Sequence, residues 1–112
     1  MINVLLERRN NGSLVSLKAE GHAGYAVRGF DIVCSAVSVL IKTTMQVLEE
    51  TGGINLESEC PERGFVSFRV KSEKPDSILE ERLKYAGDFL AAGLGTVEQE
   101  YPEYLKIKYT TV

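Results

Sequence analysis

The chain has 112 residues, 44% of them hydrophobic and 26% charged, with a formal net charge of -3. That is enough to close one core without metals or disulfides, so a single unit over 1–112 is expected. The acidic balance and scattered Lys and Arg exclude the concentrated basic surface of a nucleic-acid binder, so no direct nucleic-acid partner is expected.

The first elements read as a hairpin. Ile2, Val4 and Leu6 alternate with more polar neighbours, Asn10-Asn11-Gly12 makes a turn, and Val15, Leu17 and Ala19 alternate with Ser16, Lys18 and Glu20. Met1 to Glu7 lacks the basic start and apolar run of a secretory signal, and no apolar run approaches about 18 residues. The expectation is therefore a cytoplasmic protein with no membrane partner. Gly21-His22-Ala23-Gly24-Tyr25-Ala26-Val27-Arg28-Gly29-Phe30 follows, where three glycines disfavour helix and strand alike and predict a mobile surface loop.

Asp31 offers a helix N-cap, and from Val33 the positions Val37, Leu40, Ile41, Thr44 and Leu48 recur at helical spacing until Gly52-Gly53. A second hairpin sets Ile54 and Leu56 against Val66, Phe68 and Val70, with Cys60-Pro61-Glu62-Arg63-Gly64 as its turn. After Pro75, Ser77-Ile78-Leu79-Glu80 has the form of a capping box. It opens a helix with the stripe Leu79, Leu83, Ala86, Leu90, Leu94 and Val97, weakened by Gly87, Gly93 and Gly95. Leu105, Ile107 and Tyr109 then alternate in a last strand.

The order β-β-α-β-β-α-β predicts an α+β two-layer sandwich: a mostly antiparallel sheet of about five strands, with two helices on one face. The uncovered face is expected to carry Leu5, Tyr104 and Phe65, and apolar groups left there would favour a homodimer.

The one histidine, His22, lies in the glycine loop just ahead of the helix that bears Cys34. With Asp31 as cap, Cys34 falls in the first helical turn, where free N–H groups and the positive end of the helix dipole favour a thiolate. His22 could fold back to take the thiol proton and return one to a leaving amine, and N–H groups at the helix start could form an oxyanion hole. On spacing alone a plainer account competes: Cys34 as a small buried hydrophobe and His22 as a surface residue. Asp31 could cap the helix, orient His22 or meet substrate. Ser38, one turn after Cys34, could bond a loop group or a carbonyl one turn back. Gly21, Gly24 and Gly29 could serve turn geometry or loop opening. Cys60 reads as an incidental thiol. One His and two separated Cys fall short of a structural metal site, so neither a metal nor another cofactor is expected.

Gly21-His22-Ala23-Gly24, followed by Asp31-Ile32-Val33-Cys34-Ser35-Ala36-Val37-Ser38, closely resembles the ribosomal-processing cysteine protease family, often called Prp. The length, element order and late glycine-rich helix running into Glu98-Gln99-Glu100-Tyr101-Pro102 extend the resemblance over essentially the whole chain. It implies an enzyme of Gram-positive and related bacteria that removes a short N-terminal extension, ending in paired phenylalanines, from large-subunit ribosomal protein number twenty-seven. By the same resemblance His22 and Cys34 form the catalytic dyad, Asp31 and Ser38 support it, Gly21 lends the loop mobility, and the enzyme is a homodimer. Two other function classes stand beside it: a non-catalytic ribosome-associated binding or assembly module, and a thiol redox sensor, against which the lack of an obvious resolving cysteine near Cys34 counts.

Overall fold

The computed structural model describes residues 1–27, 30–72 and 75–112, so Gly29 lies outside the described residues. It contains strands β1 (Ile2–Arg8) and β2 (Leu14–Glu20), helix α1 (Ile32–Glu49), strands β3 (Asn55–Glu59) and β4 (Phe65–Lys71), helix α2 (Ser77–Glu100) and strand β5 (Leu105–Thr111). The five strands form one mixed sheet in the order β3-β4-β2-β1-β5, antiparallel except for the parallel pair β1–β5. Each helix thus links two strands that run the same way: α1 crosses from β2 to β3 and α2 from β4 to β5.

Alternation decides which side of the sheet is buried. Ile2, Val4, Leu6, Leu17, Ala19 and Phe68 join Val33, Val37, Ile41, Leu48, Leu79, Leu83, Leu90 and Leu94 of the helices in one core, each large side chain contributing ~1.5–3 kcal/mol on burial. By length and by a mean hydropathy of 1.4, α1 is apolar enough to cross a bilayer; here its stripe is taken up by that core. The helices approach closely where α2 carries Gly93, because a β-carbon there would stand 2.9 Å from Leu40 Cδ2.

Three local expectations are corrected. A register shift between Glu7 and Arg8 sets Leu14 opposite Arg8, so Leu14 and Val15 are both buried although they are adjacent. Asp76, not Ser77, caps α2 and accepts the Leu79 N–H at 2.8 Å. Glu80, expected to close the capping box, instead accepts hydrogen bonds from Asn11 Nδ2 and Ser13 Oγ and ties the helix to the first turn. The open sheet face carries Leu5 and Phe65 as expected, with Lys18 Nζ 5.8 Å from the centre of the Phe65 ring, but is otherwise polar. Its rows hold Leu5, Lys18 and Ser67, then Glu7, Ser16, Arg69 and Glu57, with ion pairs Arg69–Glu7 and Lys71–Glu57. Tyr104 precedes β5 and lies off that face. Exposed apolar side chains sit instead on the helices, as Ile32, Val39, Val47, Tyr85 and Phe89, and in the loop, as Val27 and Phe30.

Candidate active site

Cys34 lies in the first turn of α1, as the cap at Asp31 dictates: Asp31 Oδ1 accepts the Cys34 N–H at 3.0 Å. The other carboxylate oxygen reaches back into the loop and accepts the N–H groups of Tyr25 at 3.0 Å and Ala26 at 3.4 Å. Asp31 is only 7% exposed. Burial pushes its carboxyl up, yet the N–H groups of Cys34, Ala26 and Tyr25 and the Cys34 thiol together outweigh burial and hold it below the ordinary value of 3.8. Both its oxygens are taken by backbone N–H groups, so Asp31 shapes the loop and the helix start, and among the described residues it makes no hydrogen bond to the imidazole.

The loop folds back over the helix as the sequence suggested. The Ala23 N–H donates to Cys34 Sγ at 3.3 Å, which sets the residue after His22 directly on the sulfur. His22 and Cys34 then line one cleft of about 410 Å³, together with Gly21, Ser38, Lys42, Cys60, Glu62, Arg63, Gly64 and Phe65. Among the described residues the imidazole makes no hydrogen bond to the sulfur; in an unliganded site such bonds commonly tighten only around substrate. The N–H groups of Cys34 and Ser35 donate to Asp31, so these two at the helix start are not free to hold an oxyanion.

His22 is held from beneath by the second hairpin. Gly64 has φ +86, and a β-carbon on it would stand 2.6 Å from His22 Nε2, so the imidazole lies flush on that turn. Gly21, with φ +101, donates its N–H to the Gly64 carbonyl at 2.8 Å, and a β-carbon there would collide with the Met1 carbonyl oxygen. The His22 carbonyl accepts from the Met1 nitrogen at 2.6 Å. A ring of aromatic groups closes the corner: Tyr25 meets Tyr101 and Tyr104 edge-on, with centroids 5.4 Å and 5.3 Å away, contacts worth ~0.5–1.5 kcal/mol each beyond area burial.

Ser38 shares the wall with Cys34, and its hydroxyl has no protein partner among the described residues. Cys60, read from sequence as incidental, is exposed and stands on the same cleft, so a second thiol does lie in the neighbourhood of Cys34. Sequence reasoning missed Gly64, Tyr25, Tyr101 and Tyr104. Only the glycine closing the turn before Phe65 gave any local signal, and it announced a turn rather than a floor for an imidazole. Taken together, the cleft sets a thiol, an imidazole and two cationic side chains around one surface depression, the groups that acyl transfer through sulfur requires.

Comparison with known proteins gives this arrangement a context. The family model described as "Cysteine protease Prp" matches residues 1–106. The ribosomal processing cysteine protease Prp of Bacillus subtilis (strain 168) is 22% identical over 107 residues, covering 96% of each chain. Its counterpart in Staphylococcus aureus (strain Mu50) is 24% identical over 113 residues, covering 97% of this chain and 99% of the relative. The crystal structure of the S. aureus protease Prp, in complex with a covalently linked product peptide, superposes with a TM-score of 0.79 at 21% identity, over 98% of this chain and 100% of the other. At that identity the superposition establishes the shared α+β fold.

Proposed function

The chain belongs to the Prp family of cysteine proteases, and from that premise we propose that it is an endopeptidase in which Cys34 is the nucleophile and His22 its base. The observation that carries this reading is the shared cleft: His22 and Cys34 face one groove, and the Ala23 N–H is already on the sulfur. In the first step Cys34 Sγ attacks the scissile carbonyl, forming a C–S bond, while His22 takes the thiol proton. The C–N bond then breaks, and His22 passes that proton to the leaving amine. Water cleaves the thioester, giving a carboxylate and restoring the thiol.

The substrate proposed is the short N-terminal extension of large-subunit ribosomal protein number twenty-seven. This is supported by the names of the relatives, which are ribosomal processing proteases, and by the apolar side chains of Val37, Phe65 and Val66 among those lining the cleft. Gly21, Asp31 and Ser38 act in support: Gly21 by fitting a crowded corner, Asp31 by ordering the loop, and Ser38 by offering a hydroxyl to substrate. Residues 1–112 act as one cytoplasmic protease domain, needing no cofactor, and the exposed apolar side chains of the helices suit a homodimer.

The test is mass spectrometry of the precursor ribosomal protein after mixing with the chain. Cleavage after the paired phenylalanines, lost in Cys34→Ala and in Cys34→Ser with the fold intact, is the expected result. Turnover retained in either variant would overturn Cys34 as the nucleophile, and a precursor left intact by the wild-type chain would favour a non-catalytic ribosome-associated module.

A further inference from the structure

We propose that Tyr101 and Tyr104 are positioning residues for the proteolytic reaction: they clasp the ring of Tyr25 and so hold the segment bearing His22 against Cys34. The inference rests on the reading of His22 and Cys34 as the reacting pair, and adds to it residues from the far side of the chain, between α2 and β5.

The described residues between Gly21 and Asp31, 22–27 and 30, form neither helix nor strand. The hydrogen bonds of those beyond Ala23 run to one place: Tyr25 and Ala26 donate to the Asp31 carboxylate, and Phe30 donates to Val27 within the loop. Ala23 itself donates to Cys34. Gly21 and His22 at the near end are tied to Gly64 and Met1, but the bonds of Ala23, Tyr25 and Ala26 all run to the start of α1. Among the described residues no hydrogen bond holds the stretch from Ala23 to Val27 toward the sheet.

Tyr25 supplies the opposing contact. Its ring stands at 84° to Tyr101 and at 78° to Tyr104, between both. The platform beneath is fixed on two sides: the Tyr101 N–H donates to Val97 O at the end of α2, the Tyr104 N–H donates to Tyr101 O, and the Tyr104 carbonyl accepts from Ile2 at the start of β1. The same start of β1 leads to Met1, whose nitrogen meets the His22 carbonyl. Tyr25 remains 42% exposed, and Val27 and Phe30 just beyond it are 73% and 77% exposed. The ring is therefore docked on a surface rather than buried in the core, which makes the contact releasable. Edge-to-face packing needs an aromatic ring on each side and no hydroxyl. Phenylalanine therefore preserves the clasp, while leucine keeps bulk and loses it.

The experiment uses the full chain as wild type, the Tyr101→Phe/Tyr104→Phe pair and the Tyr101→Leu/Tyr104→Leu pair, each alone and with His22→Ala. Two rates are read: cleavage of a fluorogenic peptide with paired phenylalanines before the cut, and alkylation of Cys34 by iodoacetamide. The leucine pair should lower kcat about tenfold with KM changed less than about twofold, while the phenylalanine pair stays within about twofold of wild type. The leucine pair should also slow alkylation in the His22 background and leave it unchanged once His22 is alanine. Wild-type kcat in the leucine pair, or equal slowing in both backgrounds, overturns the clasp. Wild-type cleavage and alkylation in His22→Ala alone overturn the reading of the reacting pair instead, whatever the tyrosines do. If the wild-type chain leaves the peptide intact, the substrate reading falls and the alkylation arm still decides the clasp. Should the leucine pair fail to fold, Tyr25→Leu makes the same demand from the exposed side of the contact.

Discussion

The imidazole of His22 rests on Gly64, so closely that a β-carbon at position 64 would stand 2.6 Å from Nε2. Gly64→Ala must therefore push the ring off its floor. It must also hold alanine at φ +86, at a cost of roughly 1–2 kcal/mol. The expected outcome is a loss of about 10²-fold in kcat, with a melting temperature lower by about 5–10 °C. Steady-state cleavage together with a calorimetric melt checks it; unchanged kcat would mean that the imidazole takes no part in the reaction.

Asp31→Asn separates the two tasks of this side chain. Asparagine can still accept the Cys34 N–H and cap α1, but its amide nitrogen would face the N–H groups of Tyr25 and Ala26, donor against donor. The helix should survive at a cost of ~1–2 kcal/mol while cleavage falls more steeply. The effect also depends on pH. The folded carboxyl lies below its ordinary value of 3.8, so folding favours the charged form. That contribution is complete above about pH 5 and is lost as pH falls through the folded value. In urea unfolding, the gap between wild type and Asp31→Asn should accordingly narrow from about pH 6 to pH 3; a gap that widens would contradict the assignment.

The two thiols share a cleft but not an environment. Cys34 is half-buried and receives the Ala23 N–H, whereas Cys60 is exposed on the turn. Despite its poorer access, Cys34 should react with iodoacetamide about tenfold faster than Cys60. His22→Ala should slow Cys34 alone. Peptide mapping after timed alkylation measures both, and equal rates would remove the case for an activated sulfur.

Glycines of α2 should divide by their surroundings. A β-carbon on Gly95 meets nothing within 4 Å, so Gly95→Ala should stabilise the protein by ~0.5–1 kcal/mol through the backbone alone. On Gly93 the same atom would press on Leu40 at 2.9 Å, and the gain should be cancelled or reversed by ~1–3 kcal/mol of overpacking. Paired denaturant titrations decide it. Equal gains at both positions would mean that the helices are not in close contact there.

What periodicity encodes, the sequence made legible: the strands, the stripes of both helices, and the cap at Asp31, whose short polar side chain stands just before an apolar repeat. The cleft bearing His22 and Cys34 was foreseeable because their segments adjoin in the chain and a glycine loop joins them. The cap of α2 was misplaced by one residue because Asp76 and Ser77 are both good caps, and the choice turned on where Glu80 finds partners, in Asn11 and Ser13. Burial of both Leu14 and Val15 depends on a register shift that no alternation of side chains announces. The polarity of the open face, the approach of Gly64 to His22 and the clustering of Tyr25 with Tyr101 and Tyr104 all join residues distant in sequence. Local pattern carries no such information.

The parallel pairing of β5 with β1 has a consequence for biosynthesis. A nascent chain possesses His22 and Cys34 well before β5 is made, yet the outer edge of β1 stays bare until residues 105–111 have left the exit tunnel. Before then that edge is a template for unwanted association between ribosome-bound neighbours. Strand β5 therefore acts as a seal: a chain truncated ahead of it carries both His22 and Cys34 and still should aggregate instead of maturing.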